Sequence, residues 1–104
     1  MVTAEGNMTE DDLSRLHINV EGRVQGVGFR YFVVENAQRL NLSGWVRNRW
    51  DGSVELVAEG NRQSLDNLLA AVRRGPRSSM VLGIKIDWGE ATGEFRDFRV
   101  KTTS

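Results

Sequence analysis

Leu16-His17-Ile18-Asn19-Val20-Glu21-Gly22-Arg23-Val24-Gln25-Gly26-Val27-Gly28-Phe29-Arg30-Tyr31-Phe32-Val33 changes its hydrophobic period part-way along. Up to Val20 the apolar residues Leu16, Ile18 and Val20 alternate with Arg15, His17 and Asn19, the period of a half-buried strand. From Phe29 onward Phe29, Phe32, Val33, Ala37 and Leu40 recur at helical offsets, which predicts an amphipathic helix of about three turns. Between the two runs lies a loop with glycines at 22, 26 and 28, closed by Arg30. Glycines let a backbone adopt conformations closed to residues with a Cβ, so several N–H groups can converge at the positive end of the following helix. That is the layout of an anion cradle. The loop lacks the Gly-Lys-Ser/Thr ending of a Walker A motif and the spacing of a dinucleotide fingerprint, and a tight strand-to-helix turn with no ligand has the same composition. Arg30 separates the two readings: a cation in the first turn of a helix is repelled by the macrodipole, and a bound dianion removes that conflict.

Outward from this unit, Gly44 to Asn48 and Ser53 to Gly60 are two short strand-like runs around Asp51-Gly52, a dipeptide associated with hairpin turns. A second helix is predicted from Asn61 as its cap, with Leu65, Leu68, Leu69 and Val72 as its apolar stripe, Arg73 and Arg74 near its negative end and Gly75-Pro76 as its stop. Leu82, Ile84, Ile86 and Trp88 alternate through another strand, and a turn at Gly93 leads to a short last strand with Phe98 and Val100 expected to face inward. The order is βαββαβ plus a short terminal strand. The fold class is α+β, a ferredoxin-like split βαβ arrangement with an antiparallel sheet and two helices on one face. Strand parity puts Asn48 on the side of Val46, at a strand end, where it can face the cradle if the hairpin packs beside the first strand. Asparagine before a turn also suits a plain turn-former, since it tolerates unusual backbone angles.

Two segments together, Val24-Gln25-Gly26-Val27-Gly28-Phe29-Arg30 and Gly44-Trp45-Val46-Arg47-Asn48 followed by Asp51-Gly52, resemble the acylphosphatase family from about Leu16 to Val100. The resemblance implies hydrolysis of the carboxyl–phosphate bond of small acyl phosphates to a carboxylate and inorganic phosphate, with no metal and no cofactor. It implies Arg30 and Asn48 as catalytic residues and Gln25, Gly26, Val27, Gly28, Phe29 and Arg30 as the phosphate-binding loop. The chemistry asks little acid–base help, because an acyl phosphate is a mixed anhydride whose carboxylate leaves easily. Positioning and charge stabilisation on the phosphoryl oxygens remain. Within that scheme Arg30 and the loop amides hold phosphate while the Asn48 amide orients the attacking water. Asparagine is not a base, so the water's proton goes elsewhere, a phosphoryl oxygen of the substrate being one acceptor. Arg23 and the Gln25 side chain stay open between contact and solvent. An acylphosphatase-like domain also opens the large carbamoyltransferases of hydrogenase maturation, but this chain carries neither zinc-finger cysteines nor a transferase region.

The composition narrows the rest. The 104 residues suit one domain, residues 13–104, preceded by a polar, acidic stretch at 1–12 with no periodicity, expected to be a disordered tail. The absence of cysteine excludes disulfides and thiolate metal sites. No apolar run approaches the roughly 20 residues that span a bilayer, and the N-terminus carries no basic leader, so no membrane partner and a cytoplasmic location are expected. Fourteen basic and fourteen acidic residues cancel, which argues against nucleic acid as a partner. Ferredoxin-like sheets also bind RNA, but such a sheet needs open-face aromatics where this first strand offers Arg15, His17 and Asn19. Arg23, Arg30, Arg47 and Arg49 gather around the two motifs and are read as steering a small anion. His17 is assigned to the solvent face, and Trp45, Trp50 and Trp88 to packing or to covering the sheet. Arg96, Arg99 and Lys101 guard the terminal strand against edge pairing, so a monomer is expected.

Overall fold

The computed structural model describes residues 13–104; the expected tail at 1–12 lies outside them. Along the chain come β1 (Leu13–Arg23), α1 (Phe29–Arg39), β2 (Ser43–Asn48), β3 (Val54–Asn61), α2 (Arg62–Arg74), β4 (Met80–Glu90) and β5 (Phe98–Val100). They form a five-stranded sheet in the order β4-β1-β3-β2-β5, with every pair antiparallel except β2 with β5. This is the expected ferredoxin-like α+β fold, extended at one edge by the terminal strand.

Period-2 patterning decides which sheet face is covered. Leu16, Ile18 and Val20 of β1, Val46 of β2, and Val54, Leu56 and Ala58 of β3 are all buried in one core with Phe29, Val33 and Ala37 of α1 and Leu65, Leu68 and Val72 of α2. Burying each large side chain of this set favours folding by about 1.5–3 kcal/mol. The ends of α2 match their sequence signals: the Asn61 side chain accepts from the Ser64 N–H at 2.8 Å, and Gly75 closes the last turn at φ 69°. The opposite face of the sheet is held by charge. Glu55 accepts from Arg47 at 2.9 Å and Arg49 at 3.1 Å and lies 2.7 Å from His17, while Glu59 accepts from Arg15 at 3.1 Å. His17 therefore bonds into this charged lattice through Glu55 rather than standing free in solvent.

Three expectations are corrected here. The alternation through β4 breaks because the register against β1 shifts between Glu21 and Gly22, so that Gly22 pairs with Val81 and Leu82 is the extra residue of a bulge. Val81 packs on the core in its place, and Leu82 is 75% exposed. Val100 is level with Val46 but sits on the edge strand, beyond full cover, and is 51% exposed; Phe98 alone of that strand is buried. Trp50 is not a packing residue: at the hairpin tip it is 82% exposed. Trp88 lies at the margin of the helix-covered face, where the Arg62 guanidinium stands 3.6 Å from its ring centre.

Candidate active site

The topology brings the two motifs together. β1 and β2 run in the same direction with β3 antiparallel between them, and Val20, Val54 and Asn48 stand in one row across the three strands. Adjacent strands are about 4.8 Å apart, so Asn48 reaches the end of β2 beside the point where β1 gives way to the glycine loop. α1 starts from that loop and packs back over β2, which leaves its N-terminus beside the strand end. Arg30 and Asn48, both half-buried, thus line a common cleft of about 300 Å³ with Gly26, Gly28 and Phe29. Val24, Tyr31 and Val100 complete its wall.

The backbone of the loop is built for donation. Gly26 and Gly28 hold φ 75° and φ 79°, the left-handed region that L side chains rarely adopt. Gly28 serves as the N-cap of α1 and, having no side chain, leaves the first turn uncapped; that turn carries no acidic residue either. The first helical bond runs from the Phe32 N–H to the Gly28 carbonyl. Among the described residues no backbone N–H from Gln25 to Tyr31 has an acceptor within the protein. Arg30 has no carboxylate within ion-pair distance among those residues, whereas Arg15, Arg47, Arg49, Arg62 and Arg99 each have at least one. An unpaired cation and a set of unpaired amides at a helix N-terminus make a site for a compact anion.

Asn48 is not a turn-former. It lies within the β2 ladder opposite Val54, its carbonyl accepts from the Ser104 N–H at 3.2 Å, and among the described residues the one non-glycine with positive φ is Asn41. Its backbone is thus held from both sides, on a strand whose Val46 side faces α1.

The other arginines near the motifs divide by parity. Arg47 points to the face opposite Val46 and joins Arg49 on Glu55, so these two do not steer an anion into the cleft. Burial alone would push the Glu55 carboxyl up, but its bonds from His17, Arg47 and Arg49 outweigh burial and hold it below the usual carboxylate range. Arg23 is exposed at the end of β1, outside the cleft lining. Within the loop, Val27 packs partly on the core and Phe29 is buried in it, so both anchor the loop below; of the two only Phe29 lines the cleft. The Gln25 amide turns away from the cleft to the hairpin, donating to the carbonyls of Arg49 and Ser53 at 2.8 Å each. Tyr31 and Val100 were not singled out for the site by sequence. Tyr31, 69% exposed on the first turn of α1, lies off the buried stripe, and a large aromatic in that position was the available signal.

A larger concavity, about 630 Å³, opens at the far end of the sheet between Leu13, Asn41 and Thr92. Glu59 and Glu90 wall it, so it repels an anionic substrate, and Glu59 is already bound to the Thr92 and Gly93 N–H groups at 2.9 and 3.0 Å.

A family model described as acylphosphatase matches residues 16–100, which contain both halves of the cleft. The chain belongs to the acylphosphatase family. It is 48% identical over 87 residues to an acylphosphatase of Salinibacter ruber, covering 84% of this chain and 92% of that one. Among solved structures it superimposes on the acylphosphatase of Bacillus subtilis with a TM-score of 0.82 at 41% identity, covering 85% of this chain and 98% of that one. Full-length HypF, crystallised in a phosphate- and nucleotide-bound form, contains a similar unit: TM-score 0.80 at 30% identity, over 88% of this chain but 12% of HypF. Among the described residues no helix of this acylphosphatase is long and apolar enough to cross a membrane.

Proposed function

We propose that this acylphosphatase hydrolyses small acyl phosphates by attack of an oriented water on phosphorus, with Arg30 and Asn48 as its catalytic residues. The phosphoryl group sits on the loop N–H groups of Gln25, Gly26, Val27, Gly28, Phe29 and Arg30, and the Arg30 guanidinium neutralises its equatorial oxygens. The Asn48 amide holds the water in line with the departing carboxylate, and the water's proton passes to a phosphoryl oxygen. No metal takes part and no cofactor is needed, because the leaving carboxylate requires neither protonation nor a Lewis acid. Catalysis here is positioning plus preorganised charge.

The observation that carries this reading is the meeting of three groups at one cleft: the open loop amides, the unpaired Arg30 and the strand-end Asn48. The first two break a local rule that a phosphate restores. A monomer in the cytoplasm, acting alone on a diffusible substrate, is the setting we propose.

Loss of benzoyl phosphate absorbance, followed in buffer with a metal chelator, tests the assignment. Wild-type protein should hydrolyse it with the chelator present. Asn48→Ala should lose roughly 10²–10³ in kcat, the usual cost of one preorganised transition-state contact, while inorganic phosphate still inhibits competitively. Arg30→Ala should lose both turnover and phosphate binding. Near-normal turnover in Asn48→Ala, or tight phosphate binding in Arg30→Ala, refutes the corresponding role.

A further inference from the structure

The two halves of the cleft belong to different parts of the chain, so something must fix their separation. α1 and the loop are anchored by Val24 and Phe29 in the core, whereas Asn48 is the last residue of β2, at the shoulder of the hairpin. The hairpin closes on the pair Arg49 and Ser53, whose N–H and carbonyl meet at 2.8 Å around the tip Trp50-Asp51-Gly52. One side chain crosses from the loop to this shoulder. Both amide hydrogens of Gln25 are taken, one by the Arg49 carbonyl and one by the Ser53 carbonyl, each at 2.8 Å. Among the described residues these are the hydrogen bonds that join residues 24–28 to residues 49–53.

We infer that the Gln25 side chain is a positioning residue of this site: it clamps the hairpin shoulder to the phosphate loop and so sets the distance from the bound phosphoryl group to the Asn48 amide. The inference rests on the reading of Asn48 as the residue that orients water. Gln25 contributes twice, in opposite directions. Its backbone N–H belongs to the set without an acceptor, and its side-chain NH₂ faces the hairpin and has no hydrogen left for substrate. A side-chain contact to phosphate would require one of the two 2.8 Å bonds to break. The acceptors, by contrast, do not depend on Gln25 for satisfaction: the Arg49 carbonyl also accepts from the Gly52 N–H at 3.1 Å, and the Ser53 carbonyl from the Arg49 N–H. Removing the Gln25 amide therefore leaves no orphaned buried carbonyl. What is lost is the tie between two elements, and a misplacement of about 1 Å at a reacting centre can cost up to ~10²-fold in rate.

Gln25→Leu keeps the volume and removes the donors; Gln25→Glu keeps the shape and sets a carboxylate against two carbonyls. In the benzoyl phosphate assay both should lose roughly 10- to 100-fold in kcat, while the inhibition constant of inorganic phosphate stays within about twofold. Introduced into Asn48→Ala, Gln25→Leu should cost nothing further, since no water-orienting amide remains to be placed. Phosphate affinity that falls in step with kcat would instead make the side chain a substrate contact, and losses that multiply in the double variant would make it independent of Asn48; either overturns the inference. Wild-type turnover in Asn48→Ala alone defeats the underlying reading and is recognised without any Gln25 variant. A measurement on wild-type protein covers the case in which the variants do not fold. In a phosphate titration followed by ¹⁵N-resolved NMR, the backbone amides of residues 26–30 should shift while the Gln25 side-chain NH₂ pair stays in place, and a shift of that pair as large as theirs refutes the clamp.

Discussion

Replacing Gly28 by alanine should isolate the backbone strain that the loop stores. A Cβ built on Gly28 meets nothing within 4 Å, so packing contributes no penalty. The whole cost comes from φ 79°, where an L residue loses about 1–2 kcal/mol relative to glycine. Against this, the unfolded chain loses conformational freedom when glycine becomes alanine, which returns about 0.4–1 kcal/mol. The net destabilisation is about 1 kcal/mol, or a fall of roughly 4–8 °C in Tm for a domain of this size. Gly44 provides the contrast. Gly44 also holds a positive φ, 144°, but a Cβ there would in addition lie 1.9 Å from the Val57 carbonyl oxygen, on backbone that is itself fixed in the β2–β3 ladder, so a steric cost comes on top of the conformational one and β2 must separate from β3. Gly44→Ala should therefore cost about 3 kcal/mol or more. Thermal and urea unfolding followed by circular dichroism measure both. Gly28→Asn adds a control, because asparagine tolerates the left-handed region better than alanine and should lose less. If Gly28→Asn is the less stable of the two, or if Gly28→Ala and Gly44→Ala fall together, the separation of conformational from steric cost is wrong.

The ion-pair face and the helix cap give two further expectations. The bonds on Glu55 hold its folded-state pKa below the ordinary value of 4.5, so the unfolded chain binds the extra proton. Its contribution is present above that value and is lost as pH falls through the folded one. A Tm series from pH 6 to 2.5 should decline on acidification, and Glu55→Gln should flatten the decline; an unchanged slope assigns the acid sensitivity elsewhere, Glu59 and Asp51 being the other depressed carboxylates among the described residues. Asn61→Ala, which removes the acceptor for the Ser64 N–H, should cost about 1 kcal/mol in urea unfolding with benzoyl phosphate turnover unchanged. A loss of turnover in that variant would mean that α2 is coupled to the cleft.

Much of the fold was legible because each period reports burial directly. The alternation of Leu16, Ile18 and Val20 and the spacing of Phe29, Phe32, Val33 and Ala37 correspond to faces that are buried in the structure. Where that logic failed, the cause was pairing. Leu82 leaves its face because of a bulge defined by β1, and Val100 lies open because its strand is the last of the sheet. A strand's own sequence contains neither fact. Arg47 was a different kind of error: its parity against Val46 already assigned it to the open face, yet nearness in sequence to Asn48 drew it into the site. Physical neighbourhood on a strand runs through i and i+2, and the same rule that put Asn48 beside the cleft removed Arg47 from it.

Gln25 marks the limit of such reading, since a side chain bonded to two backbone carbonyls imposes no residue type on its partners and leaves no pattern between positions 25, 49 and 53. Arg30 marks the opposite case. Its charge opposes the helix dipole, and its guanidinium has no carboxylate partner among the described residues, so the folded chain alone gives no reason for it. A dianion on the loop amides supplies one, attracted by the dipole and by the guanidinium together. Positions at which local energetics favour another residue can be found without a structure, whereas positions that transmit geometry, as Gln25 does, cannot. The residues that meet at this cleft were therefore open to the sequence, and its dimensions were not.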